Sequence, residues 1–405
     1  MLTRRTALFS AAVATVTAAT PAYAAPGDAR RPRAHTTRRP QEGLVRFTLP
    51  APTGGRPVGS VSLHLVDRAR RDPWLPGRAR RELMVDVRYP ARTAQGLPRV
   101  PWLGAGAAAG FAALNNLTDV PADRVDWSAA LTHAHAHAPV DRTAGGPRGT
   151  LPVVLYSPGV VDPRGYGSTT ADDLASRGYV VVTVDHTYDA TAVEFPGGRV
   201  ETTRLPAEFE ATGGDEERIR ALLRKTLDVR VADLRFVLDA LPSALPPELR
   251  RAADLSRVGA YGQSAGGFAA LQTMSDDARV RAAADLDGVL AFVQEDAQPG
   301  HYARVAEDGL DRPFLLFGKD GNTPGTVPSW DALIRHSSAP HRVEELRGAR
   351  HGSFTDAQVV VPQLVAPLAL PAEAVEANIG TVDPARSVAA QRSALARLFG
   401  RALRH

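Results

Sequence analysis

The chain contains no cysteine and only two lysines, Lys225 and Lys319. Without cysteine there are no disulfides, so the folded body must be held by its core. The scarcity of lysine leaves 46 of 48 basic residues as arginine. Beside the abundant alanine, that points to a GC-rich coding sequence more than to a functional arginine surface. Beyond the N-terminus no stretch is apolar enough to span a bilayer. Excess charge is also small. The formal net charge is +4, of which residues 1–24 carry +2 and residues 25–40, with five arginines against Asp28, carry +4. The remainder is slightly acidic, so a sequence pI near 9.6 is no argument for a nucleic-acid partner. Contents of 44% hydrophobic and 23% charged residues are those of a globular chain able to bury a large core.

The first residues read MLTRRTALFSAAVATVTAATPAYA. A basic start, an Ala/Val-rich apolar stretch and the A-x-A pattern Ala22-Tyr23-Ala24 predict a signal peptide over residues 1–24 and a secreted protein. Thr3-Arg4-Arg5 resembles a twin-arginine export signal. Residues 25–42, rich in Arg and Pro, read as a disordered basic leader. Residues 43–405 are expected to form a single domain, with no internal repeat.

Within that domain, strand and helix signals alternate. Strands are expected at 44–49, 61–66, 82–89, 151–157, 179–186, 256–262, 280–287, 313–318 and 341–346. Helices are expected at Thr169–Arg177, over about Asp215–Leu241, from Ala265, and at Val388–Leu403. The acidic run Asp215, Glu216, Glu217 suits a helix N-terminus. Segment 100–150 is looser, and its Trp102, Phe111, Leu114 and Leu117 suggest a helical, lid-like excursion. Apolar strands alternating with helices imply an α/β fold with a mostly parallel sheet covered on both faces. Chemistry in such sheets gathers at the carboxyl ends of the strands.

One of those ends reads VGAYGQSAGG, a G-x-S-x-G motif where a buried strand gives way to a helix. The motif is short, and a packing turn is the bland alternative. The context favours a nucleophile, because the turn needs glycine at Gly262 and Gly266 where other chain passes close. The helix then aims its first N–H groups, including that of Ala265, at a forming oxyanion. Serine also needs a base. Of the downstream histidines His301, His336, His341, His351 and His405, only His351 lies in a short Gly-flanked loop just past a strand. Asp287 and Asp320 each end a strand and precede a glycine; the residues alone leave them level as the acid.

GQSAGG, then ADLDG, then LRGARHGSF resemble the plasma-type platelet-activating factor acetylhydrolases, as does LPVVLYSPGVVDPRGYGSTTADDLASRGYVVVTVDH. The resemblance covers roughly residues 80–360. It implies an α/β-hydrolase fold and a cofactor-free serine esterase cleaving short or oxidised acyl esters of phospholipids. It further implies Ser264 as nucleophile, Asp287 as acid with Asp320 the alternative, His351 as base, and the backbone N–H groups of Val160 and Ala265 as the oxyanion hole. Transient contact with a lipid surface would suit such a substrate. Pro158 and Gln263 stand where the family usually or often has histidine, which bears on substrate choice more than on chemistry.

Other readings carry less. His133, His135 and His137 form an H-x-H-x-H pattern, but no neighbouring acid or cysteine completes a metal site, so a polar loop near the entrance is expected and no metal. His186 could line the pocket floor or be a bonded core histidine. A cutinase- or polyester-type hydrolase shares the motifs, and a catalytically idle hydrolase fold used for binding should have lost part of the triad. Residue types leave acyl length, headgroup and oligomeric state open.

Overall fold

Valine-rich β5 (Leu151–Ser157) and β6 (Val180–Asp185) are buried along their whole length, as strands covered on both faces must be. They lie at the centre of the computed structural model, which describes residues 43–75, 77 and 80–404. The readings of a signal peptide and a leader fall outside the described residues. The chain divides into two units, Met1–Leu44 and Val45–His405, and the sheet belongs to the second.

The other strands are β1 (Val58–Asp67), β2 (Arg81–Pro90), β3 (Arg99–Pro101), β4 (Leu131–Ala136), β7 (Ala192–Glu194), β8 (Val200–Thr202), β9 (Ala253–Gln263), β10 (Val280–Leu286), β11 (Phe314–Lys319) and β12 (His341–Leu346). Ten of them form one sheet in the order β12-β11-β10-β9-β5-β6-β2-β1-β4-β3, while β7 and β8 pair separately. From β12 to β6 every neighbour is parallel; β2 runs antiparallel to both β6 and β1.

Period-two alternation separates two cores. Val153 and Leu155 of β5 and Val180, Val182 and Val184 of β6 face one core, with the helices Glu216–Ala244 and Ala265–Asp276. Val154, Tyr156 and Val181 face the other, with the helices Ser168–Ser176 and Pro384–Leu403. The long helix begins where its acidic run predicts, with the Asp215 carboxylate accepting from the Arg218 N–H at 2.9 Å.

Two expectations need correction. Residues 44–49 form no strand; Val45 makes an isolated bridge to Val125, and Phe47 and Leu49 are buried beside Trp102 and Trp127. Aromatic packing, not a ladder, holds this apolar stretch. Segment 100–150 is only partly helical: after the helix Ala105–Ala113 it supplies β4, and β3 and β4 extend the sheet at one edge. The alternation LTHAHA has a strand's period, and β4 pairs in parallel with β1. Trp102 and Phe111 are buried in a cluster with Trp127 and Tyr166, while Leu114 and Leu117 are half-buried.

Candidate active site

Parallel β9 and β10 end side by side, and the loops beyond them bring the candidate residues together. After β9 the backbone turns sharply at Ser264, with φ 56° and ψ −127°, and the helix Ala265–Asp276 starts at the next residue. That conformation is costly for a non-glycine residue. Its neighbours enforce it: a Cβ on Gly262 would collide with the Gly266 backbone, and one on Gly266 with the carbonyls of Ser157 and Pro158. The Ser264 N–H donates to the Leu286 carbonyl at 2.9 Å, tying the turn to β10. Ser264 and Ala265 stay half-exposed.

Asp287, one residue past β10, also has positive φ, 60°. Its buried carboxylate receives His351 Nδ1 at 2.6 Å on Oδ2. Oδ1 accepts from the Lys319 N–H at 2.8 Å and Asn322 Nδ2 at 3.0 Å. Burial disfavours the imidazolium, yet the hydrogen bond and charge of Asp287 outweigh it and hold the His351 pKa above the ordinary histidine value. The Lys319 ammonium, 3.7 Å from Asp287, also pairs with Asp296. Asp320 is exposed and, among the described residues, makes no hydrogen bond to His351.

The other ring nitrogen is engaged too. His351 Nε2 lies 2.9 Å from Gln263 Nε2, and among the described residues no hydrogen bond joins it to Ser264. With Asp287 accepting from Nδ1–H, Nε2 carries the lone pair and the Gln263 amide donates to it. Gln263 Oε1 is buried without a partner among the described residues. A Cβ on Gly159 would run into that oxygen and lie 2.9 Å from Asp162 Oδ2, so the amide and this carboxyl crowd one small space. Burial pushes the Asp162 pKa up to about 7. Beneath the turn, burial and then the charge of Asp287 raise the Asp285 pKa well above the usual carboxylate range. Asp285 packs against Gly267 and accepts from the Gly288 N–H at 2.9 Å.

The turn after β5 carries Pro158, Gly159 and Val160. Pro158 has no N–H, and its carbonyl accepts from Arg230 Nη1 at 2.6 Å. The Val160 N–H has no partner among the described residues. Behind the turn lies a second Ser–His–Asp line: Ser157 Oγ is 2.9 Å from His186 Nε2, and His186 Nδ1 is 3.0 Å from Asp233 Oδ2. Its geometry mimics a catalytic relay, but all three residues are fully buried, so no ester can reach the serine. Burial lowers the His186 pKa and keeps the ring neutral. The core reading of His186 therefore stands.

The H-x-H-x-H residues lie on or just past β4 rather than in a loop, and His133 Nε2 meets the Leu49 carbonyl at 2.9 Å. His301, His336 and His341 are exposed. A surface cavity of about 320 Å³, lined by Glu216, Arg220, Phe292 and Gln298 among others, includes none of the candidate site residues. Reasoning from residue types missed Lys319, Asn322 and the grip of Arg230 on the turn. Of these, only K-D-G-N after a strand carried a hint.

Residues 48–210 match the family model described as platelet-activating factor acetylhydrolase, isoform II. The chain belongs to the platelet-activating factor acetylhydrolase-like family of α/β-hydrolases. A curated relative from Arthroderma benhamiae, named a probable 1-alkyl-2-acetylglycerophosphocholine esterase, is 26% identical over 249 residues. That match takes in 59% of this chain and 57% of the relative's length. A solved ferulic acid esterase from Streptomyces cinnamoneus is 34% identical, with TM-score 0.70, covering 89% of this α/β-hydrolase and 94% of that chain.

Proposed function

We propose that this α/β-hydrolase is a serine carboxylesterase, exported through its N-terminal segment, that cleaves short or oxidised acyl esters of lipids. The observation that carries the reading is the 2.6 Å contact of His351 Nδ1 with buried Asp287, beside a serine on a strained strand-to-helix turn. Ser264 Oγ attacks the ester carbonyl as His351 Nε2 takes its proton, and Asp287 fixes the tautomer and stabilises the imidazolium. The Val160 and Ala265 N–H groups receive the oxyanion. The same histidine protonates the leaving alcohol, then activates the water that releases the acid.

His351 Nε2 must leave the Gln263 amide to reach Ser264. Hydrogen bonds of this kind are often long or misaligned before substrate binds. With its side chain 43% exposed, His351 has room for that movement.

A second reading, feruloyl esters as substrate, is favoured by the likeness to the ferulic acid esterase along most of both chains. Hydrolysis of p-nitrophenyl esters from acetate to palmitate, a short-acyl phosphatidylcholine and methyl ferulate separates the two. Acetyl esters and the phospholipid turned over well ahead of methyl ferulate support the lipid reading; the reverse order replaces it. Turnover no better than that of Ser264→Ala on every ester rejects both.

A further inference from the structure

Arg230 lies on the helix Glu216–Ala244, more than 60 residues along the chain from the turn it holds, and is fully buried. Nη1 donates to the Pro158 carbonyl at 2.6 Å and to Ser157 Oγ at 3.4 Å; Nη2 donates to the Gly159 carbonyl at 2.9 Å. Nε and Nη2 also grip the two oxygens of Asp189, each at 2.7 Å. Asp189 Oδ1 in turn accepts from the Val161 N–H at 3.1 Å. One buried pair therefore fixes three consecutive peptide groups.

That grip bears on chemistry through peptide geometry. In a trans peptide the C=O and N–H point in opposite directions. The Gly159 carbonyl and the Val160 N–H belong to one peptide, and no cis bond occurs among the described residues. Pulling the Gly159 oxygen inward onto Arg230 turns the Val160 N–H outward. The guanidinium also polarises that peptide, which strengthens its N–H as a donor.

The turn needs such a restraint. Val161 has φ 71°, a conformation that a β-branched side chain strongly disfavours. Strain of that kind persists only where the surroundings over-determine it. Here the Val161 carbonyl is held by the Thr191 N–H at 2.7 Å and Oγ1 at 2.6 Å, and Asn116 Nδ2 holds the Val160 carbonyl at 3.1 Å.

We infer that Arg230 and Asp189 are positioning residues for the oxyanion hole, aiming the Val160 N–H at the reacting carbonyl. This rests on the esterase reading of Ser264. Neither residue touches substrate; each acts through the turn.

The test is Arg230→Lys, which keeps the charge but cannot bond both carbonyls and Asp189 at once. Active sites are first counted by titration with a fluorophosphonate, so that kcat refers only to competent enzyme. The expected result is a kcat per titrated site on p-nitrophenyl acetate lower by about 10- to 100-fold, with KM within about 3-fold. Inhibition by an alkyl boronic acid, whose tetrahedral serine adduct places an anion in the hole, should weaken in parallel. A purely structural pair would lower the melting temperature or the titrated fraction and leave both per-site quantities at wild type; that result overturns the proposal. Should Arg230→Lys not fold, Asp189→Asn is read the same way. Active wild type beside an unaffected variant rejects the positioning role alone. Wild type that neither hydrolyses esters nor is titrated rejects the esterase reading and this inference with it.

Discussion

Gln263 and His351 meet nitrogen to nitrogen, at 2.9 Å, on the face of the imidazole that a catalytic base must turn toward its serine. Because the amide donates to the neutral ring, it favours the unprotonated form. Gln263→Ala should therefore raise the midpoint of the acidic limb of kcat/KM, by about 0.5–1 unit if a typical hydrogen bond is lost. A pH–rate profile checks this. An unmoved midpoint would show that the amide has already left Nε2 in the working enzyme.

The partner on the other side acts in the opposite sense. Asp287 holds the His351 pKa up, and the base works only unprotonated, so activity should rise with pH through a midpoint above the ordinary histidine value. For stability, the same raised pKa is a contribution fully present below the unfolded histidine pKa and lost as pH rises through the folded one. Asp287→Asn should lower the ring's midpoint. Imidazole proton shifts followed by NMR across the titration report it directly, with the eight exposed or half-buried histidines of the described residues, His64, His133, His135, His137, His301, His336, His341 and His351, to be assigned first.

Substitution of the two aspartates separates the candidate acids. Ser264→Ala should lower kcat by about 10⁶ and Asp287→Asn by about 10⁴. Asp320→Asn should stay within about 2-fold, because its exposed carboxylate lies off the histidine. Steady-state kinetics on one soluble ester suffices, and a large loss in Asp320→Asn would reassign the acid.

Asp162 carries a pH signature of its own. Its pKa is about 7 against an ordinary 3.8, so the folded state binds more protons than the unfolded state between those values. Stability should therefore fall as pH rises from about 4 to about 7. Asp162→Asn should flatten that part of the melting-temperature profile, and an equal slope in both proteins would place the carboxyl in a wetter environment than its burial implies.

Gly266→Ala tests the packing under the turn. A methyl there would press on the carbonyls of Ser157 and Pro158, which cannot recede without moving the turn that Arg230 holds. A loss of about 1–3 kcal/mol is expected from overpacking alone, read by urea unfolding. Activity should fall with it, since the displaced turn carries Val160.

How much was legible in the residues depended on how local the cause was. Continuous Val/Leu runs and turn glycines specify β5, β6, β9, β10 and β11 by burial and backbone conformation, and these were readable to within a few residues. The same holds for Gly262-Gln263-Ser264-Ala265-Gly266, whose strain is encoded by its own glycines. Residues 44–49 and 100–150 were misread because aromatic packing and a parallel partner, both distant in the chain, decide their conformation. Between Asp287 and Asp320 the strand-end pattern is identical, and only the path of the loop past β12, which carries His351 across β11 to the end of β10, decides between them. The hold of Arg230 on Pro158 and Gly159 was invisible for the same reason. A helix periodicity says which face is buried, but which carbonyl a buried guanidinium finds there is settled only when helix and turn pack together.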